Sequence, residues 1–144
     1  MNSSICKRTP WLLALMLLLS CSGKLTEKEL AQLNGYWEIK EVVFPDGSKK
    51  AYQVNLDVDF FSLDGLRGYR KKMKPQFTGT FATSDDAQPL VLQQNQDQWE
   101  ILYENDLDSW KEILVALTAN KLSLENEAGI RYHYERFEPI NLEN

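Results

Sequence analysis

The chain has 144 residues, 43% hydrophobic and 11% aromatic, with a formal net charge of -5. That length gives one domain, and the acidic balance excludes a protein built to hold nucleic acid. Its two cysteines, Cys6 and Cys21, have no metal-site spacing, and none follows position 21, which excludes a disulfide framework for the body of the protein.

The N-terminus reads as an address. Lys7 and Arg8 precede an unbroken apolar run, Trp11 to Leu19. The run is far shorter than the roughly 20 residues of a membrane-spanning helix and fits a signal-peptide core. Leu18-Leu19-Ser20-Cys21 then resembles the lipobox of bacterial lipoproteins. The resemblance implies cleavage before Cys21 and acylation of its thiol. Residues 1–20 are thus expected to be a lipoprotein signal peptide and residues 21–25 a lipidated tether. The partner so implied is a membrane, through acyl chains on Cys21. Ser22, where an acidic residue would signal retention at the inner membrane, implies a bacterial envelope protein on the outer membrane, facing the periplasm.

Thr26-Glu27-Lys28-Glu29 is a capping-box pattern, and Leu30 and Leu33 make the apolar edge of a brief helix. The stretch Asn34 to Phe44 follows as a first strand. Trp37, Ile39, Glu41 and Val43 share one face by the period of two. Gly35 stands two residues before Trp37, where a bare backbone permits close packing at a barrel corner.

Pro45-Asp46-Gly47-Ser48 is a turn by composition. Val54, Leu56, Val58 and Phe60 then alternate with Asn55, Asp57 and Asp59, the cleanest half-buried strand pattern in the chain. Asp64-Gly65 marks a hairpin, with Leu66 to Met73 as the returning strand. Phe77 to Phe81, Leu90 to Leu92, Trp99 to Tyr103, Lys121 to Glu125 and Ile130 to Tyr134 read as further strands. Trp110, Ile113, Leu114 and Leu117 have helical spacing, yet Ile113, Val115 and Leu117 also alternate. The tight hairpin around Asn120 favours a strand. The count reaches about eight, enough to close a barrel over residues 26–140. The expected fold is therefore all-β: a small antiparallel up-and-down β-barrel with a short N-terminal helix.

The Gly35-x-Trp37 opening, set just after a helical lead-in, resembles the lipocalins and, more closely, the lipocalin-like domains of bacterial lipoproteins. The resemblance implies an arginine of the last strand packed over the tryptophan at the barrel floor. Arg131 and Arg136 are candidates. First and last strands run antiparallel, which selects Arg136. Gly35, Trp37 and Arg136 are thus expected to be structural. Fatty-acid-binding proteins share the Gly-x-Trp opening, but their closing Arg-x-Tyr is reversed here as Tyr134-Glu135-Arg136, so their carboxylate site does not carry over.

The resemblance also implies a small apolar or amphiphilic ligand at the open end, lined by Ile39, Glu41, Val43, Leu56, Val58, Phe60, Tyr132 and Tyr134. The alternative is a structural or interaction lipoprotein whose barrel is filled by Trp37, Phe60, Phe77 and Trp99. Glu41 is either wet near the mouth or a group that orients a ligand head. Arg67, Arg70, Lys71, Lys72 and Lys74, with Tyr69 among them, are either a solvated hairpin or a mouth that attracts anions. His133, the sole histidine, shares parity with Arg131 and Glu135 and should face out. No base, nucleophile or ligand set converges, so neither enzyme activity, metal nor cofactor is expected.

Overall fold

The computed structural model describes residues 24–83 and 86–139, so the lipobox and Cys21 lie outside the described residues. A single turn of helix, α1 (Glu27–Leu30), runs into a 3-10 turn at Ala31–Leu33. The Glu29 carboxylate accepts the Thr26 backbone N–H at 2.7 Å and the Thr26 hydroxyl at 2.8 Å, so the two side chains of the capping pattern bond each other. Ten strands follow: β1 (Gly35–Val43), β2 (Lys49–Ala51), β3 (Val58–Asp64), β4 (Arg67–Pro75), β5 (Phe81–Thr83), β6 (Gln88–Asn95), β7 (Gln98–Glu104), β8 (Ser109–Leu117), β9 (Lys121–Asn126) and β10 (Arg131–Arg136).

All pairings are antiparallel. Eight strands close a barrel in the order β1-β3-β4-β6-β7-β8-β9-β10, with β10 returning to β1. The two short strands widen one end: β2 pairs with the far end of β1, and β5 with the far end of β4. Closure removes the free edges that an open sheet would present. The segment 110–117, favoured as a strand over a helix, lies within β8.

The floor lies where β1 begins. Leu30 and Leu33, both fully buried, press up into the barrel. Two indoles hold this lid in place: Trp37 Nε1 donates to the Leu33 carbonyl, and Trp99 Nε1 to the Leu25 carbonyl, each at 2.8 Å. Lys24 also pairs with Asp97 on the floor turn between β6 and β7. Above the lid, Trp37, Phe61, Leu90, Leu92, Trp99, Ile101, Leu114, Leu117, Leu122 and Leu124 form one cluster. Burial of each such side chain contributes about 1.5–3 kcal/mol, so the lower half of the barrel is a packed core.

Two bulges reset which residues point inward. In β1 the register slips between Ile39 and Glu41, so Trp37, Ile39 and Val42 face the interior opposite Arg136, Tyr134 and Tyr132. Glu41 and Val43, expected inside, therefore point out; Glu41 pairs with Lys49 on β2 at 3.2 Å. In β8 the slip falls between Leu114 and Ala116, which brings Leu117 inward and leaves Val115 outside.

The strand expected to start at Val54 begins only at Val58. Val54 and Leu56 lie on the connector from β2 and are 81% and 82% exposed. The connector is tied to β1 by Asn55, whose side-chain amide donates to the Ile39 carbonyl at 2.6 Å. Its alternation is that of an anchored loop, with Asn55 held in and its neighbours turned out. The parity of β3 is the reverse of the expected one. Asp59 lies opposite Trp37 and Phe61 opposite Gly35, so Asp59 and Phe61 face in. Phe60 faces out and joins Tyr36, Tyr69, Phe81 and Phe137 in an aromatic cluster on the outer wall, where Tyr36 stacks on Phe81 at 4.4 Å. Val58 shares the parity of Phe60; it is buried but takes no place in the core cluster. Phe77 is 95% exposed at the tip of the β4–β5 hairpin and fills nothing.

Candidate functional site: a charged layer beneath an apolar rim

Inward parity along β4 falls on Gly68, Arg70 and Lys72, which lie opposite Leu63, Phe61 and Asp59 of β3. Two members of the basic cluster thus point into the barrel rather than to solvent. Arg70 is the hub. Its Nε donates to Asp59 at 3.0 Å, one terminal nitrogen to Glu112 at 3.0 Å and the Tyr103 hydroxyl at 3.3 Å, and the other to the Tyr134 hydroxyl at 3.0 Å. Its guanidinium also lies 5.2 Å from the Phe61 ring centre. Lys72 reaches Asp59 at 2.8 Å, and the Tyr103 hydroxyl donates to Glu112 at 2.8 Å.

The layer draws one or more groups from β3, β4, β7, β8 and β10, so it spans the barrel. Two cations, Arg70 and Lys72, face two carboxylates, Asp59 and Glu112. Burial raises the pKa of Asp59, but Arg70 and Lys72 outweigh it and hold the carboxyl below its ordinary range. Burial acts to lower Arg70, and Asp59, Tyr103, Tyr134 and Glu112 reverse that and keep it firmly protonated. Tyr103 and Tyr134 are pushed above the ordinary phenol range, first by burial, so both stay protonated and able to donate.

Two members of this layer keep solvent contact. The Arg70 side chain retains 17% of its surface and that of Lys72 retains 63%, against 3% for Asp59, which lies level with Lys72. Ile39, Trp110 and Tyr132 stand half-buried, packed against the core from the same interior. Of the residues expected to line a ligand, Ile39, Tyr132 and Tyr134 share the interior. Glu41, Val43 and Phe60 do not, Leu56 stands on the rim, and Val58 lies on the other side of its strand. Sequence reasoning missed Asp59, Arg70, Tyr103 and Glu112 as a set. An inward acid on β3 and an inward base on β4 become visible only once the parity of β3 is known.

The two ends of the barrel differ in their turns. At the open end Phe44, Val54, Leu56, Phe77 and Leu107 are exposed, the last at 96%. Their turns are built, not slack. The Gln76 N–H donates to the Thr80 carbonyl and the Gly79 N–H to the Gln76 carbonyl below Phe77, while the Asn105 carboxamide oxygen accepts the Leu107 and Asp108 N–H groups. The floor turns after β3, β6 and β8 expose no large apolar side chain among the described residues.

Two recesses lie elsewhere. A cleft of about 460 Å³ runs between Lys24-Leu25 and the β7–β8 wall, and a groove of about 470 Å³ crosses β4, β6 and β7 near Arg67 and Leu102. Neither includes Arg70 or its partners. His133 faces out, as parity requires, and its Nδ1 lies 2.7 Å from the Ser123 hydroxyl. No carboxylate bonds its other ring nitrogen among the described residues. No group of acidic, cysteine or histidine side chains there could hold a metal ion.

At the floor, Arg136 lies over Trp37 with its guanidinium carbon 3.8 Å from the ring centre. It also donates to the carbonyls of Ala119, Asn34 and Gln32 at 2.9, 2.5 and 2.6 Å. One residue thus joins the β8–β9 turn, the lid and the first strand. An eight-stranded antiparallel closed barrel, a helical floor and an arginine of the last strand on a tryptophan of the first are the arrangement that the resemblance of Gly35-x-Trp37 to the lipocalins implies.

No protein-family model matches the chain, and no curated protein matches it in sequence. Among solved structures it is similar to an uncharacterized protein from Bacteroides eggerthii DSM 20697, at 15% identity over 73% of this chain and 99% of that one, with a TM-score of 0.48. It is also similar to a lipocalin-like protein from Bacteroides uniformis ATCC 8492, at 14% identity over 74% and 99% of the two chains, with a TM-score of 0.46. The fold class rests on the barrel's own strand order and closure.

Proposed function

We propose that this protein is a binding module for a small amphiphilic ligand, held at a bacterial envelope membrane by acyl chains on Cys21, on the outer membrane and facing the periplasm. The observation that carries the binding reading is the charged layer: a solvent-reachable set of polar groups across the barrel, with a packed apolar floor below and an apolar rim above. A purely structural barrel gains little from such a layer, because desolvating ion pairs offsets most of their attraction. The filled lower half confines a ligand to the mouth. Its head would meet the Arg70 layer, and its tail would lie along Ile39, Trp110 and Tyr132 towards the rim. Glu41 points outward to Lys49, so a head would be oriented by Arg70 and its partners instead.

The test uses the soluble Cys21→Ser protein, stripped of lipid. Amphiphiles of about ten carbons are titrated, and melting temperature and tryptophan emission are followed. A ligand that binds only the folded state raises the melting temperature by mass action. The shift should vanish in Arg70→Met. No shift with any amphiphile would overturn the binding reading. The anchor is tested separately: Cys21→Ser should move the protein from the membrane to the soluble fraction, and unchanged membrane attachment would overturn it.

A further inference from the structure

We infer that the mouth selects an uncharged hydrogen-bonding head, such as an alcohol or amide, over a carboxylate. This rests on the binding reading above and names the chemistry of its head group.

The charge arrangement carries it. A buried guanidinium invites a carboxylate only when its charge is unmet. Here Asp59 takes Arg70 Nε and Lys72, and Glu112 takes a terminal nitrogen of Arg70 together with the Tyr103 hydroxyl. Two interior cations already face two interior carboxylates, both of residues more than nine-tenths buried. A third carboxylate would stand beside Asp59 and Glu112 where the field is poorly screened, with three negative charges facing two positive ones.

What remains unspent is complementary to a neutral head. Glu112 Oε2 accepts two bonds, whereas Oε1 has no partner among the described residues. The Tyr134 hydroxyl accepts from Arg70 and has its own hydrogen left to donate. Lys72 makes one contact, with Asp59, and keeps N–H groups directed to solvent. One spare carboxylate oxygen beside spare O–H and N–H donors matches a group that both donates and accepts. A hydroxyl or primary amide does both; an ionised carboxylate only accepts.

The experiment compares 1-decanol, decanamide and decanoate against the soluble Cys21→Ser protein at neutral pH, by thermal shift and by quenching of tryptophan emission. The alcohol and the amide should bind at least about tenfold tighter than the carboxylate, since like-charge juxtaposition is costly in a desolvated site. Glu112→Gln keeps the shape and an acceptor for Arg70 but removes one charge, and should bring decanoate up to the alcohol or beyond. Equal or tighter binding of decanoate by the unmutated layer overturns the head-group assignment while leaving the binding module intact. Failure of all three probes overturns the binding module itself, and this assignment with it.

Discussion

A Cβ on Gly35 would stand 2.8 Å from a terminal nitrogen of Arg136. Gly35 also has φ of +111°, a conformation that L side chains rarely adopt. The glycine of the Gly-x-Trp opening thus clears space for the arginine that covers the tryptophan. Gly35→Ala should cost about 1–3 kcal/mol, from backbone strain and a displaced guanidinium. Urea unfolding checks it, and the guanidinium–indole contact should weaken in step, seen as a shift in Trp37 emission.

Trp37 is wholly buried and bonded to the lid. Trp37→Ala should lose about 3–5 kcal/mol, as for other buried aromatics. Trp37→Phe keeps most of the packing and loses the bond to the Leu33 carbonyl; leaving that acceptor unmet should cost about 1–3 kcal/mol. Chemical denaturation of both variants separates the packing of the ring from its hold on the lid.

The Arg70 layer predicts a non-additive pattern. Arg70→Met alone should cost about 3–5 kcal/mol, because it leaves the buried Glu112 with no cation and the buried Asp59 with Lys72 alone. Adding Asp59→Asn and Glu112→Gln removes the stranded charges and should recover most of that loss. Additive losses in the triple variant would show that the three groups do not act as one unit.

The same layer sets an acid limit. The folded-state pKa of Asp59 lies below its ordinary value, so its contribution to stability is complete above the unfolded pKa of about 4. It is lost as pH falls through the lower, folded-state value. Stability in urea should therefore drop below about pH 4, and the Asp59→Asn protein, less stable at neutral pH, should lack that part of the drop.

The bulge in β1 can be tested by charge. Val42 is 4% exposed and faces in, while Val43 faces out beside Lys49. Val42→Asp buries an unpaired carboxylate and should destabilise the barrel by several kcal/mol. Val43→Asp and Glu41→Gln touch only the outer wall, where an ion pair contributes at most about 1 kcal/mol. Equilibrium unfolding of the three variants would reveal a straight β1 if the order were reversed.

Much of the fold could be read from the chain. Turn chemistry at Asp64-Gly65 and around Asn120, together with the alternation of Trp99 to Tyr103, locates hairpins that the structure contains. The contact of Arg136 with Trp37 is where antiparallel neighbours put it. The losses have a common physical source, which is that a period of two has no memory of a skipped residue. One extra residue at Lys40 turns Glu41 and Val43 out. One at Val115 makes the inward set Trp110, Glu112, Leu114 and Leu117, whose last step of three imitates a helix. Val54 to Asp57 alternates because a loop is anchored at Asn55, which local pattern does not separate from a strand. The charged layer was illegible for the same reason: its members lie on five strands, and their convergence depends on each strand's parity.

The clamp that ties Lys24 to Asp97 and the Leu25 carbonyl to Trp99 has a mechanical meaning. It makes the base of the barrel its handle. Any pull on the residues before Lys24 enters at the bottom of β7, beside the closed end, and is shared with the lid through the second indole. The exposed apolar side chains of the rim, Val54, Leu56, Phe77 and Leu107, lie at the other end, so a pull on this handle and any contact made by the rim act on opposite ends of the barrel.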